Sequence, residues 1–213
     1  MGRQITDIKT QTRNRRRVNV YLDGQYGFSL GLDVAASVSR GDSLSDEEIE
    51  NLRARDAEEI AYNKCLKYLA YRPRSTGEVR RYLREKGVSA EVSGLVAGRL
   101  ERVGLLDDRA FARYWVENRE TFRPRGRRLL RQELREKGID EELVAEVLAG
   151  VDEESSAFRA ALSKAPRYAR LDDEGFRAKM NGFLRRRGFD YEVVRGTVSR
   201  VLLHRGEEGA ADG

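Results

Sequence analysis

The segment Leu83-Arg84-Glu85-Lys86-Gly87-Val88 returns as Leu134-Arg135-Glu136-Lys137-Gly138-Ile139 and, more loosely, as Leu184-Arg185-Arg186-Arg187-Gly188-Phe189. The three glycines lie 51 and then 50 residues apart. A fixed period of this size marks tandem supersecondary units, each too small to bury its own apolar face and therefore stacked on its neighbours. Function is then expected on an extended surface.

Around each copy the apolar period is helical. Val92, Leu95, Val96, Leu100 and Val103 follow Ser89, and Leu143, Val144, Val147, Leu148 and Val151 follow Asp140. Val193, Val194, Val198, Val201 and Leu202 follow Asp190 in the same spacing. Each repeated glycine is expected to close one helix in the left-handed conformation, with the Ser or Asp two residues later opening the next. A second helix precedes each glycine, and a third lies further upstream over Ala61 to Leu69, Phe111 to Val116 and Phe158 to Leu162. The pattern predicts three repeats of three helices.

The first 44 residues differ. Val18, Val20 and Leu22, then Tyr26, Phe28 and Leu30, alternate with polar residues on either side of Asp23-Gly24, a pair suited to a tight turn of positive φ. Residues 5–32 read as a β-hairpin element, with Ile5 and Ile8 on a third strand. Ser45-Asp46-Glu47-Glu48 then carries a capping box for a following helix.

Composition narrows the chemistry. Of 213 residues 39% are hydrophobic and 36% charged, with a net charge of +5, so a polyanion or an acidic protein surface is the favoured partner. Cys65, the single cysteine, excludes an internal disulfide and sits in the apolar pattern Ala61, Cys65, Leu66, Leu69, which fits a small buried hydrophobe in a reducing cytoplasm. His204 is the single histidine, placed at a frayed end, and a Ser-His-Asp triad or zinc site lacks the partners it needs. Asp107-Asp108 reads as a helix cap and its charged first turn rather than a metal site. No phosphate-cradling Gly-x-x-x-x-Gly-Lys-Ser/Thr run, membrane-spanning stretch or secretory h-region occurs. The expectation is a cytoplasmic protein that is not an enzyme and carries no cofactor or metal.

The links between first and second helices correspond as well. Arg72-Pro73-Arg74-Ser75 matches Arg123-Pro124-Arg125-Gly126, the prolines again 51 apart. Proline explains the break in the chain; it does not explain arginines on both sides each time. Arg127, Arg128, Arg131 and Arg135 continue the second copy, with Arg127, Arg131 and Arg135 on one helical face. Like charges so placed repel, and a groove of opposite charge would relieve them. Arg13, Arg15, Arg16 and Arg17 form a further cluster beside the hairpin, read first as a solubilising loop and second as a contact to phosphates or an acidic groove.

Three of these blocks together carry a family resemblance: Arg72-Pro73-Arg74-Ser75; Gly104-Leu105-Leu106-Asp107-Asp108 with Phe111-Ala112 and Trp115-Val116; and Arg123-Pro124-Arg125-Gly126 with Leu134 to Ile139. In that order, and over about residues 5–205, the chain resembles the RecX family, regulators of the bacterial RecA recombinase. The resemblance implies an all-α body of three tandem three-helix repeats forming an elongated, curved solenoid with a small N-terminal β-hairpin element. It also implies a protein that binds the RecA filament on single-stranded DNA, lies in its groove and inhibits its ATPase and strand exchange, with consequences for recombination, DNA repair and the SOS response; a monomer is expected because nothing in the sequence demands more. The segmentation expected is 1–44 for the hairpin element and linker, 45–104 for repeat 1 with a lead-in helix, 105–151 for repeat 2, 152–205 for repeat 3 and 206–213 for a disordered tail. Partner-binding residues are expected at Arg72, Arg74, Arg123, Arg125, Arg127, Arg128, Arg131 and Arg135, with a further N-terminal contact at Arg13, Arg15, Arg16 and Arg17. Repeat 3 departs from the pattern, because Ala165-Pro166-Arg167 does not align with the earlier links. Two other readings stay open: a protein that binds DNA directly through its arginine surface, and a helical-repeat scaffold for an unrelated protein.

Overall fold

The computed structural model describes the backbone over residues 2–211 and side chains through Arg205. The chain divides into two compact units, residues 1–74 with 79–106, and residues 75–78 with 107–213.

The first unit opens with strands β1 (Arg3–Thr10), β2 (Arg17–Leu22) and β3 (Gln25–Gly31), a single helical turn α1 (Leu32–Ala35) and a short strand β4 (Ser43–Leu44). They make one antiparallel sheet in the order β3-β2-β1-β4. Asp23 and Gly24, at φ 50° and 83°, form the expected tight turn. The pairs Val18↔Leu30 and Val20↔Phe28 place their side chains on the buried face. Beyond Val20 the register slips, setting Tyr21 opposite Tyr26. Tyr26, expected inward with Phe28 and Leu30, is therefore 59% exposed and meets Tyr21 edge to face. The third strand through Ile5 and Ile8 is present; β4, which pairs Arg3↔Leu44 and Gln4↔Ser43, was not legible in the alternation pattern.

Helix α2 (Asp46–Leu69) starts at the expected capping box, Ser45 Oγ accepting from the Glu48 amide and the Glu48 carboxylate from the Ser45 amide. Its 24 residues span about 36 Å. That length lets one helix serve two cores. Ile49 and Leu52 complete the sheet core, while Ala61 and Cys65 join Val79 and Leu83 of α3 (Thr76–Glu85) and Val96 and Leu100 of α4 (Ala90–Arg102) in the second. The expected lead-in helix and first helix of repeat 1 are thus one continuous rod. Leu95 and Val103, counted on the apolar face of α4, are 54% and 57% exposed, Val103 being the C-cap residue beyond the last helical turn.

The second unit holds two three-helix sets. Helices α5 (Asp108–Phe122), α6 (Arg127–Glu136) and α7 (Glu141–Ala149) enclose Phe111, Val116, Leu130, Leu134, Val144 and Leu148. Helix α8 (Glu153–Lys164), a 3-10 turn at Ala165–Tyr168, α9 (Asp173–Arg186) and α10 (Tyr191–Ala211) enclose Phe176, Met180, Leu184, Val194 and Val198. Gly87, Gly138 and Gly188, at φ 73°, 79° and 84°, are the left-handed helix ends that the repeated motif requires. Asp107, Asp140, Asp152 and Asp172 accept backbone amides as N-caps. Helix α10 continues through Ala211, into the segment expected as a disordered tail, because Glu207, Glu208, Ala210 and Ala211 extend a helix at little cost. Residues 212–213 of that tail lie outside the described residues. His204 sits exposed on this helix, not at a frayed end.

Two equivalent backbone joints recur in the second unit. The first turn of α3, residues 75–78, seats Ser75 Oγ on the carbonyl of Lys137 (2.5 Å) and the Thr76 amide on Asp108 (2.7 Å). Fifty-one residues on, the Gly126 amide donates to the Arg187 carbonyl (2.9 Å) and the Arg127 amide to Glu153 (3.0 Å). In both joints the first residue of α5 or α8 neutralises an orphan amide at a helix start, and the carbonyl before a left-handed glycine receives the cap position. A Cβ at Gly126 would overlap the backbone of Gly188 and Phe189.

Gly126→Ala is therefore expected to lower stability by about 1–3 kcal/mol in urea unfolding. Gly98→Ala, in the open middle of α4 with nothing within 4 Å of the added carbon, should instead raise it by about 0.5–1 kcal/mol. Burial pushes the Cys65 thiol up to about 11. Maleimide labelling at pH 8 should accordingly be slow in the native protein and rapid once it is unfolded; fast native labelling would contradict this core.

Candidate functional site

The arginines expected to contact a partner fall into two groups once their neighbours are placed. Several are already engaged inside the chain. Arg17 reaches from β2 to the buried carboxylate of Asp56 on α2 (2.7 Å) and to the Ser29 carbonyl (3.1 Å), while Asp56 also accepts the Gly31 amide (2.7 Å). This is the polar clasp between sheet and α2, so Arg17 separates from Arg13, Arg15 and Arg16, which stay exposed in the β1–β2 loop. Arg74 lies 4.0 Å over the Tyr68 ring, which itself stacks on Tyr82 at 4.2 Å. Arg72 donates to the Pro73 carbonyl (2.8 Å).

In the second unit Arg127 donates to the Val151 carbonyl (2.6 Å). Arg131 and Arg135 flank one carboxylate, Glu141 on α7, at 3.4 and 2.6 Å. The repulsion along this face of α6, expected to need an external acidic groove, is relieved by Glu141 from within the chain. Glu141, seven residues and a turn away from α6's last leucine, was invisible to helical spacing because the pairing crosses two helices.

Glu133 is the most consequential residue that sequence reasoning passed over. It sits 8% exposed on the inner face of α6, accepts from Trp115 Nε1 (2.7 Å) and Arg119 Nε (2.9 Å) through one carboxylate oxygen, and forms an ion pair with Arg125 through the other. Arg119 also covers the Trp115 ring at 4.3 Å, and Trp115 stacks on Phe111 at 5.9 Å. Trp115 and Phe111 thus hold repeat 2 together partly through a buried ion pair. Arg187 joins the same neighbourhood by donating to the Pro124 carbonyl (3.0 Å). Burial lowers the Arg125 pKa, with Arg119, Arg123 and Arg187 adding to the effect; burial likewise lowers that of Arg187, with Arg123 contributing.

What remains displayed forms a cationic band on the second unit. Arg128, Arg185, Arg186, Phe189, Asp190 and Tyr191 line an open cleft of about 540 Å³. Arg128 also borders an adjacent hollow with Arg131, Gln132, Arg135 and Glu136. Arg185 and Arg186 belong to the third copy of the repeated motif, and their arrival beside Arg128 follows from the joint at Gly126. Among the described residues no group of three or more His, Cys, Asp or Glu side chains could hold a metal ion, and no helix is long and apolar enough to cross a membrane. Asp107 caps α5 through the Ala110 amide (2.9 Å), and Asp108 is taken up by Thr76.

Replacing Glu133 by Leu leaves Arg119, Arg125 and the Trp115 indole without their acceptor, which should cost about 3–5 kcal/mol. The check is a double-mutant cycle with Arg125→Met, in which the second substitution should recover part of the loss; full additivity would show that the pair is uncoupled.

Four family models match the chain in order: the RecX N-terminal domain over residues 3–39 and the first, second and third RecX three-helix domains over 61–100, 107–148 and 152–198. The chain is 33% identical over 195 residues to the regulatory protein RecX of Bacillus licheniformis, covering 89% of this chain and 74% of the relative. It is 30% identical over 209 residues to that of Bacillus subtilis, covering 96% and 79%. A crystal structure of a regulatory protein RecX superposes with a TM-score of 0.72 at 26% identity, covering 92% of this chain and 98% of the other. The RecX of Lactobacillus salivarius shares the fold at a TM-score of 0.62 and 22% identity, covering 70% and 99%. With its sheet, its three helical sets and its matched segments in register, the chain belongs to the RecX family of regulatory proteins.

Proposed function

We propose that this protein regulates the RecA recombinase by binding its filament on single-stranded DNA, lying in the filament groove and inhibiting ATP turnover and strand exchange. The reading is carried by one observation: all four RecX segments occur in order over residues 3–198 of a chain whose chemistry-bearing side chains are mostly committed to packing and capping. A protein of this kind acts by occupying a surface. Inhibition then needs no catalytic group, since a body lodged between ATPase protomers restricts the relative movement that turnover requires. Modules that each touch one protomer would multiply weak affinities through effective concentration.

The displayed band supports the cationic side of such a contact. Arg128, Arg185 and Arg186 are exposed, and Arg131 and Arg135 share one carboxylate between two guanidiniums, so the band keeps excess positive charge. Arginine's planar fork suits acidic side chains on a protein filament. Arg127, by contrast, is spent on the Val151 carbonyl and serves the fold. Arg13, Arg15 and Arg16 offer a separate contact from the first unit.

The double variant Arg128→Glu/Arg186→Glu should weaken inhibition of RecA ATPase on single-stranded DNA by at least about tenfold in the concentration needed, with helicity unchanged by circular dichroism. Arg127→Glu should instead lower thermal stability. Full inhibition by the double variant at moderate salt would remove this band from the contact, and no inhibition by the wild-type chain would overturn the proposed function.

A further inference from the structure

Within the first unit, a cleft of about 560 Å³ opens between α2 and the loops at one end of the sheet, inside the size range of ligand clefts. Ile60, Asn63, Lys64 and Lys67 share one face of α2 and form the first wall. Asn14 and Arg16 of the β1–β2 loop, with Leu32 and Asp33 of α1, form the second. The clasp of Arg17 on the buried Asp56 lies in the lining between them.

The charges of this cleft do not cancel. Asp56 is neutralised by Arg17, accepting from both of its terminal nitrogens (3.3 and 2.7 Å), and Glu59 is held by Arg99. Among the described residues Arg16, Lys64 and Lys67 have no carboxylate partner, and Asp33 is the one lining carboxylate without a cation. Three free cations therefore face one free acid. Beside them Leu32 and Ile60, 47% and 39% exposed, are aliphatic side chains that the core leaves uncovered.

The two asparagines add a matched pair of polar groups. Asn14 spends its side-chain oxygen on the Arg16 amide (3.2 Å) and keeps its amide nitrogen, while Asn63 spends its amide nitrogen on the Glu59 carbonyl (2.9 Å) and keeps its oxygen. One donor and one acceptor are left, the complement of a peptide group. No aromatic ring lines the cleft, so a nucleobase would find nothing to stack on. An aliphatic side chain would find Leu32 and Ile60.

We propose that this cleft binds an acidic peptide segment with an aliphatic anchor, the anchor seated on Leu32 and Ile60 and the carboxylates beyond it meeting Lys64, Lys67 and Arg16. The spacing follows from the helix. Lys64 and Lys67 lie four and seven residues beyond Ile60, about 6 and 10 Å along the axis. An extended chain rises about 3.3 Å per residue, so the acids fall two and three places from the anchor. The surface belongs to the first unit, whereas the cationic band belongs to the second, and it requires no recombinase.

The test uses the full chain and fluorescence anisotropy of the labelled peptide Gly-Ser-Leu-Ala-Glu-Glu-Ser-Gly at about 50 mM salt. Saturable binding is expected, weakened about tenfold or more when Leu becomes Ser and again when both Glu become Gln. Ile60→Ser and the double variant Lys64→Glu/Lys67→Glu should each weaken it about tenfold with helicity unchanged by circular dichroism, while Arg128→Glu/Arg186→Glu should leave it as it was. Lack of saturable binding by the wild type, equal binding of the Ser peptide, or as large a loss from the Arg128/Arg186 variant as from the lysine variant would overturn the proposal. So would displacement of the peptide by oligo(dT) at lower concentration than by unlabelled peptide, since the cleft would then take nucleic acid. Recombinase inhibition is read in a separate assay, so peptide binding without inhibition sinks only the proposed function, and inhibition without peptide binding sinks only this inference.

Discussion

The close backbone approach at Gly126 and Gly188 is the constraint on which the cationic surface of the second unit depends. It brings the start of α6 onto the end of α9 with no room for a side chain between them, and the Gly126 amide meets the Arg187 carbonyl in the process. Arg128 consequently lies beside Arg185, and Arg187 beside Pro124. The joint at residues 75–78 uses the same grammar with different residues: Ser75 stands where Gly126 stands, Lys137 where Arg187 stands, and Asp108 does for Thr76 what Glu153 does for Arg127. Each joint satisfies helix-start amides that would otherwise be orphaned. Module cores as small as these cannot dispense with such polar fastening.

Glu153 illustrates the energetic compromise in a joint of this type. It is 7% exposed, and burial raises its pKa above the ordinary carboxylate value while the Arg127 amide pulls the other way. A raised carboxylate pKa means that the folded state binds protons more readily than the unfolded one. This group's contribution to stability is therefore fully present below the unfolded value and declines as pH rises through the folded one. Asp108, the counterpart in the first joint, accepts a backbone amide in the same manner. The joint is retained because it fixes which helix start meets which helix end.

Local features were legible in the sequence and partnerships were not. The period of 51 and 50 residues announced the three helical sets, the left-handed glycines announced their ends, and Asp23-Gly24 and Ser45-Glu48 announced a turn and a cap, all within a few residues of the atoms they involve. Tyr26 was misplaced because a one-residue slip in register cannot be seen in alternation. The arginines were the larger difficulty. Arg17, Arg125, Arg127, Arg131 and Arg135 look alike in a charge count, yet each finds a partner 6 to 39 residues away: Asp56, Glu133, Val151 or Glu141. The signal that could have found Glu133 was its position: an acid at the inward-facing place on α6, between Leu130 and Leu134, where an apolar residue belongs.

Once the committed arginines are subtracted, the residues left over acquire meaning from being left over. A chain with 36% charged residues could display an undifferentiated positive surface, but many of its cations are paired, stacked on rings or bonded to carbonyls. Pairing of this kind both holds the fold and removes charge from view. Arg123 escapes it although Arg125, on the same short link, does not, and Arg128 keeps its charge displayed while bonding only to the Arg185 carbonyl. Position 68 is Tyr in the first module and its counterpart 119 is Arg; position 82 is Tyr and its counterpart 133 is Glu. The first module thus holds its link arginine by stacking, Arg74 on Tyr68, and the second by an ion pair, Arg125 on Glu133. Two chemistries arrive at one arrangement: the inner arginine of Arg-Pro-Arg is anchored, and the aromatic residue before it is turned out.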